Sequence, residues 1–369
     1  MENLYVQIKL SVIKKAEETD KFVSKISEYA NTQNKVNKSD FFANSPFHKD
    51  FKQHSEKIYA PAKDRYYKTR WFYERARGQY LQSIALFKTK AEQNKFKKEN
   101  PKAQVIEKPM LAKSEMSWMM RPHIVARGAE TCFAEFANYI SKEIEKDEKC
   151  ITEFYFKSAV AKIIIFKETE KIVSSSTWYN GGYRAQCVTY TIALLAYLFE
   201  QKNKIFDFMS IWEKQEICEE LREYISILAE KVYELIMQPV EGAANIGQYC
   251  KKLECWNKVE KLANELYIDT YIELLSTTKE EANIKKREAK NNLEIDNSAK
   301  MQEFVIKIGF NSWNNILIND IKYNHPLSLS QTEYGVLSSM VSGKINFPTP
   351  KQAKVLYNIY QRAKEKDII

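Results

Sequence analysis

The scarcity of residues that form turns is the feature that most constrains this chain. Only 9 glycines and 9 prolines are spread over 369 residues. These two residue types mark most tight turns and helix ends, so their scarcity favours long helices over many short strands. Hydrophobic residues make up 44% of the chain, which is enough to bury a core. We therefore predict an α+β protein that is predominantly helical.

The β content is predicted near the N-terminus. Apolar and polar residues alternate strictly over residues 4–12, which is typical of a strand with one buried face. The aromatic residues of 66–73 predict a second strand. A lone strand is not stable in water, so the first strand needs a partner, either later in the chain or in a segment that precedes Met1.

Apolar residues at helical spacing predict most of the remaining elements. The predicted helices cover residues 17–30, 46–58, 74–87, 129–140, 152–173, 183–199, 211–237 and 258–275. The polar, lysine-rich stretch 88–113 is predicted to be an exposed loop or hairpin insertion. Residues 279–300 are charged nearly all round, which predicts either a solvated helix or a linker.

The C-terminal tail carries clear helix-end signals. Ser330 and Glu333 have the spacing of a capping box, and Gly343 suits the end of the helix that follows. Thr349 and Pro350 are expected to cap and begin a last helix. We predict four segments in all: a β-containing region at 1–125, a helical domain at 126–278, a charged linker or helix at 279–300, and a small helical unit at 301–369.

Basic residues are concentrated in one zone. Residues 63–113 contain 14 Lys and Arg against 5 Asp and Glu, an excess of nine that equals the formal net charge of +9 for the whole chain. Such a concentration of positive charge is expected for a surface that binds phosphate or another polyanion.

The motif WFYERARGQY at 71–80 is the strongest candidate for binding. Arginine side chains suit bidentate phosphate contacts, and aromatic rings can stack on bases. The candidate residues in and just before this motif are Arg65, Arg70, Trp71, Tyr73, Arg75 and Arg77. The alternative is that the aromatic rings fill a core beneath a charged rim.

Two further motifs carry weaker signals. The amides of NTQNKVN, namely Asn31, Gln33 and Asn34, can read base edges, or they can form turns at a helix end. In WYNGGYR, the pair Gly181 and Gly182 precedes a predicted helix, and Arg184 adds charge. This arrangement is either an anion site or a tight loop that lets Trp178 and Tyr183 pack.

These motifs together resemble the abortive-infection phage-resistance (AIPR) proteins of bacteria. The resemblance is carried by NTQNKVN at 31–37, WFYERARGQY at 71–80, RPHIV at 121–125 and WYNGGYR at 178–184. It implies a role in anti-phage defence through contact with DNA or RNA. It also implies that the chain is the C-terminal portion of a longer protein, with any nuclease region upstream or in a second subunit. No catalytic residue is assigned.

Two other interpretations stay open. The chain could be a protein-interaction or sensor module of a defence system, with the basic zone only a solvated surface. It could also be a nuclease that uses Asp40 and Glu74, and only then is Mg²⁺ expected as a cofactor. Otherwise no cofactor and no metal site is predicted. The chain could also form a homo-oligomer.

The compartment is predicted from three absences. The six cysteines show no disulfide or CxxC spacing, lysines interrupt the N-terminal apolar pattern of a signal peptide, and the longest apolar run, 192–199, is too short to span a bilayer. We predict a cytoplasmic protein with reduced thiols and no membrane partner.

Overall fold

The computed structural model describes residues 45–62, 68–147, 150–238, 245–266 and 269–368. The chain divides into two compact units, and among the described residues the larger runs from 45 to 290 and the smaller from 291 to 368. The predicted strand at 4–12 and the predicted helix at 17–30 lie outside the described residues.

The larger unit is built mainly from helices. They are α1 (Pro46–Lys57), α2 (Gln79–Ala85), α3 (Lys90–Glu99), α4 (Lys108–Trp118), α5 (Pro122–Ala126), α6 (Ala129–Lys146), α7 (Glu153–Ser175), α8 (Arg184–Gln201), α9 (Phe208–Lys214), α10 (Glu219–Met237), α11 (Ile246–Tyr249), α12 (Leu253–Val259) and α13 (Asp269–Leu274). Helix α14 (Lys279–Ile308) begins in this unit and continues past residue 290, where the smaller unit begins.

Four short strands form two small sheets. Strands β1 (Phe72–Glu74) and β2 (Val105–Glu107) pair in parallel, and β3 (Ile205–Phe206) and β4 (Ser276–Thr277) pair antiparallel. With so little sheet among so many helices, the prediction of a predominantly helical α+β protein is confirmed. None of the described helices is both long enough and apolar enough to cross a membrane.

Helix α7 is the centre of the larger unit. The hydroxyl of Thr152 accepts a hydrogen bond from the backbone N–H of Tyr155 at 3.2 Å and caps its first turn. Its buried residues lie on nearly every face, which is typical of a helix enclosed by others. It contacts α4, α8, α9 and α10.

Two elements predicted around the basic zone differ from those in the structure. The helix predicted at 74–87 begins only at Gln79, because Glu74 ends a strand and Gly78 has a left-handed φ of 78°. The loop predicted at 88–113 is wrong: this stretch contains α3, a 3₁₀ turn, β2 and the start of α4. Most of its lysines lie on the exposed side of regular structure, whereas Lys108 is buried.

Two long helices predicted in the second half are interrupted. Residues 211–237 form the end of α9 and all of α10, which are separated at Gln215 by a left-handed φ of 55°. Residues 258–275 contain the end of α12, a 3₁₀ turn and α13. Hydrophobic spacing continued through both breaks, so periodicity alone could not locate them.

The smaller unit confirms the predicted helix-end signals. Its helices after α14 are α15 (Phe310–Lys322), α16 (Gln331–Val341) and α17 (Pro350–Glu365). Both predicted caps form as capping boxes, Ser330 with Glu333 and Thr349 with Gln352. Gly343 follows α16 with a left-handed φ of 74°, as expected at a helix C-terminus. The core of this unit surrounds the fully buried Trp313.

Candidate nucleic-acid interface

The aromatic segment, residues 71–80, places its four aromatic rings in the core. Trp71, Phe72 and Tyr73 are 5%, 8% and 0% exposed. The indole N–H of Trp71 donates to the side-chain oxygen of Gln215 at 2.7 Å, and the hydroxyl of Tyr80 donates to the carbonyl of Asn100 at 2.8 Å. Base stacking needs an open ring face, and in this conformation the rings of Trp71 and Tyr73 are covered by protein.

A buried hydrogen bond fixes Tyr73. Its hydroxyl lies 2.5 Å from Nδ1 of His48, and the two rings are stacked. Burial, together with the nearby charges of Lys108 and Arg75, lowers the pKa of His48 to about 3. The imidazole is therefore neutral at physiological pH, and the tyrosine hydroxyl can donate to its unprotonated nitrogen.

The three described arginines of the predicted site occupy different environments. The Arg70 guanidinium lies over the Tyr59 ring, 4.2 Å from its centroid, and donates to the Tyr59 hydroxyl. Its Nε is buried without a hydrogen-bond partner. Arg75 is half-buried, whereas Arg77 is exposed in the turn that precedes α2. Only Arg77 is presented fully to solvent.

Glu74 serves the local structure of this turn. Its carboxylate accepts from the backbone N–H of Tyr80 at 3.3 Å, which satisfies a donor in the first turn of α2. Glu107 is its neighbour across the parallel strands. In the part of the chain that the structure describes, no group of three or more His, Cys, Asp or Glu side chains is arranged to hold a metal ion.

The basic segment, residues 88–102, is built around helix α3, and its lysines are presented to solvent. Helix α3 begins with a capping box in which Thr89 and Glu92 satisfy each other's backbone N–H groups. The hydrogen bond from Thr89 lowers the pKa of Glu92 and keeps it ionised near the helix N-terminus. No residue of α3 is fully buried, and its lysines face water, whereas Phe96 is half-buried.

Six lysines of the basic segment are exposed, and one carboxylate, Glu92, is exposed with them. The lysines are Lys88, Lys90, Lys95, Lys97, Lys98 and Lys102. Within the described ranges, none of the six forms an ion pair. The sequence counted these residues in its basic zone but assigned the site to the neighbouring arginines. The run of lysines is the sequence signal for this surface, and its polarity predicts a loop where the structure has a helix.

The double-glycine turn packs aromatic rings. Gly181 and Gly182 have φ angles of 93° and 75°, and α8 follows at Arg184. The carbonyl of Gly181 accepts from the hydroxyl of Tyr233 at 2.9 Å, and the rings of Trp178 and Tyr179 pack on the Tyr233 ring. Arg184 donates to the hydroxyl of Ser174 at 3.2 Å. Anion binding at Gly181, Gly182 and Arg184 stays a prediction.

The other predicted binding residues lie outside the described residues. They are Asn31, Gln33, Asn34 and Arg65, together with Asp40 from the nuclease interpretation. The structure therefore brings together only the part of the predicted site from Arg70 to Arg77.

Comparison with known proteins gives one family. A model of the AIPR protein family matches residues 1–240 of the chain. The matched residues include the aromatic segment, the basic segment and the double-glycine turn. No curated protein and no solved structure matches the chain.

Proposed function

Because this chain belongs to the AIPR family, and so to abortive-infection defence against phage, we propose that it engages nucleic acid through the basic segment. The observation that carries the proposal is the set of six exposed lysines, none in an ion pair within the described ranges, with a single exposed carboxylate among them. Lysines that are already hydrated and unpaired can contact phosphates without first breaking a protein ion pair.

Helix α3 is held firmly enough to act as a binding surface. The carbonyl of Glu99, at its last turn, accepts from the backbone N–H of Arg70 at 2.8 Å. Phe96 packs against the rings of Phe72 and Tyr80, with centroids 5.9 and 5.7 Å apart. The aromatic segment thus anchors the helix from below and leaves its lysines free for a ligand.

The proposed contacts are to the phosphate backbone. Lysine is a compact charge on a flexible chain and suits phosphate contacts that do not depend on sequence. Arg77 and Lys68 are further exposed basic residues in the same region of the sequence. The proposal therefore expects affinity that falls steeply as salt rises, because each neutralised phosphate releases counterions.

The test is a binding titration over a series of salt concentrations with short single-stranded and double-stranded DNA and RNA. The variant replaces Lys95, Lys97 and Lys98 with Glu. For a duplex of B-form DNA, loss of three contacts should reduce the slope of log K against log salt by roughly 2–3. A parallel series with Mg²⁺ or Mn²⁺ separates binding from metal-dependent cleavage.

A control with the same change of charge makes the test specific to the segment. Lys142, Lys214 and Lys261 are exposed lysines elsewhere in the larger unit, and all three are replaced with Glu. The control should bind much as the unchanged chain does. Equal weakening by both sets would mean that net charge alone governs binding, and no binding at low salt would favour a protein partner; either result overturns the proposal.

A further inference from the structure

The larger unit contains a cavity that is unconnected with any sequence motif. Its volume is about 390 Å³, which lies within the range of roughly 300–1,000 Å³ typical of small-molecule sites. It is bounded by the start of α7, by β3 with the first residues of α9, and by one side of α14. The lysines of α14 that line it lie in the stretch that the sequence interpreted as a solvated helix or linker.

The lining is positively charged. Four lysines and two aspartates contribute to it: Lys162, Lys285, Lys286, Lys290, Asp147 and Asp207. Two of the lysines are neutralised, since Lys162 pairs with the buried Glu115 and Lys290 pairs with Asp147, each at 2.9 Å. Lys285 and Lys286 form no ion pair within the described ranges. Asp207, whose carboxylate caps the start of α9, is the one remaining negative charge, so the lining keeps a net positive charge for an anion.

Two residues of the lining have a hydroxyl group without a hydrogen-bond partner among the described residues. They are Ser158 and Tyr155, and both oxygens are shielded from solvent. Ser158 is 7% exposed, so water does not reach it readily from outside. Buried polar groups are almost always paired in folded proteins, and an unpaired one is costly. A ligand with polar edges would supply the missing partners.

Three phenylalanines contribute to the remaining, largely apolar wall of the cavity. Phe154, Phe206 and Phe208 line it, and the ring centroids of Phe206 and Phe208 are 5.0 Å apart. Such rings favour a flat apolar group over a hydrated ion. The amino group of Lys286 lies 6.0 Å from the centroid of the Phe154 ring, so charge and ring surface meet at the same side of the cavity.

We propose that this cavity binds a nucleotide. Lys285 and Lys286 hold its phosphate, the base lies against the phenylalanine rings, and the hydroxyls of Ser158 and Tyr155 bond to polar groups of the base or sugar. A simple inorganic anion would leave the rings unused, and a fatty acid would leave the two hydroxyls unpaired. This proposal is independent of nucleic-acid binding at the basic segment. It concerns other residues, and its ligand is a single nucleotide and not a polymer.

The experiment is calorimetric titration of the full chain with AMP, ATP, GMP and GTP. Adenosine, guanosine and inorganic phosphate serve as comparison ligands. We expect at least one nucleotide to bind more than about tenfold tighter than its nucleoside and than inorganic phosphate, since charge and ring contacts add. A nucleoside that binds as well as its nucleotide, or phosphate that binds equally well, would overturn the proposal.

Variants on one helix locate the site. Replacing both Lys285 and Lys286 with Ala should weaken nucleotide binding by about tenfold or more. Arg287→Ala is the matched control, because Arg287 is exposed on the same helix and does not line the cavity; its effect should stay within about twofold. Both lysines are exposed, so the double variant is expected to fold. Equal effects of the two changes would reject this site.

One further variant keeps the two proposals apart. The chain with Lys95, Lys97 and Lys98 replaced by Glu should bind the nucleotide as the unchanged chain does, even when nucleic-acid binding is lost. If nucleotide binding disappears with that variant, the nucleotide occupies the basic segment and the cavity proposal fails. If no nucleotide binds even at millimolar concentration, the cavity proposal fails alone, and the nucleic-acid assay still stands on its own result.

Discussion

The aromatic segment and the basic segment are neighbours in sequence, and the fold sends them to opposite environments. Residues 71–73 are at most 8% exposed, whereas no residue of α3 is buried. Burying the aromatic rings is favourable, whereas burying the charged amino groups of the lysines would be costly. A sequence that mixes rings and charges can look like a stacking platform, and the structure shows instead that the two kinds of residue separate.

The separation gives each segment a different role. The aromatic segment ties α3 to the core through the carbonyls of Glu99 and Asn100, which accept from the N–H of Arg70 and the hydroxyl of Tyr80. The basic segment contributes charge to the surface. If this division is correct, changes to the buried rings of the first segment should alter stability, and changes to the exposed lysines of the second should alter binding with little effect on stability.

The largest expected effect is that of Tyr73→Ala. The side chain is fully buried among Phe51 and His48, so the substitution leaves a cavity and removes a hydrogen bond. We expect a loss of about 3–5 kcal/mol in the free energy of unfolding, typical for a buried aromatic residue changed to Ala. Urea denaturation followed by circular dichroism measures it.

Tyr73→Phe is the matched control, because it keeps the ring and removes only the hydroxyl. It should cost about 1–3 kcal/mol, since Nδ1 of the buried His48 loses its partner. A loss of less than about 0.5 kcal/mol for Tyr73→Ala would contradict the assignment of the aromatic segment to the core.

The next largest effect is a pH dependence that originates at His48. Its pKa is about 3 in the folded chain and 6.5 when exposed, so the unfolded chain takes up the proton first as pH falls. Stability due to this group is complete above pH 6.5 and decreases between pH 6.5 and about 3. At pH 5 the loss is about 2 kcal/mol, from about 1.4 kcal/mol per pH unit.

The measurement is the free energy of unfolding from pH 7.5 to 5 in the unchanged chain and in His48→Gln. Glutamine offers Tyr73 an acceptor and does not titrate. The variant should show a shallower decrease, with a remainder from His54, whose pKa is also lowered by burial. Identical pH profiles would show that His48 does not take up a proton on unfolding. They would contradict its assignment to the core.

A smaller effect is expected from Thr89→Ala at the start of the basic segment. The change removes the cap that holds the first turn of α3 and should cost about 1 kcal/mol. Because α3 buries no residue, amide hydrogen exchange should detect faster local opening more readily than global unfolding does. Thr89→Ser keeps the capping hydroxyl and should behave like the unchanged chain; equal exchange in all three chains would mean that the cap is not formed.

Signals that act within a few residues predicted the fold well. Pro46 at the start of α1, Ser330 with Glu333, and Thr349 with Pro350 each marked a helix end that the structure confirms. Such signals succeed because capping depends on backbone groups three or four residues away. Thr89 with Glu92 is the same kind of signal, although the lysines around it favour a loop.

Properties that depend on distant parts of the chain could not be predicted. Lys108 is 4% exposed although it belongs to a polar stretch, and Lys162 is held by Glu115, which lies 47 residues away. The nucleotide cavity combines residues from α7, β3 and α14, and nothing in their local patterns marks them as neighbours. Position in the core and membership of a cavity are decided by packing, which sequence periodicity does not report.

The smallest expected effect is a difference in stability between the Ala variants of Arg70 and Arg77, two arginines that the sequence places in one site. Arg70 is fixed over the Tyr59 ring, so Arg70→Ala should lower stability by about 0.5–1 kcal/mol through the lost cation–π contact. Arg77 is exposed and forms no ion pair within the described ranges, so Arg77→Ala should change stability by less than about 0.5 kcal/mol.

Binding should show the reverse order for these two arginines. Arg77→Ala should reduce the salt slope of nucleic-acid binding by about 1, as expected for one lost phosphate contact. Arg70→Ala should leave the slope unchanged, because its guanidinium is already held by Tyr59. Both quantities come from the same two variants, by urea denaturation and by salt titration. If Arg70→Ala lowers the slope and leaves stability intact, Arg70 is a binding residue and not an anchoring one, and its contact with Tyr59 does not withhold it from nucleic acid.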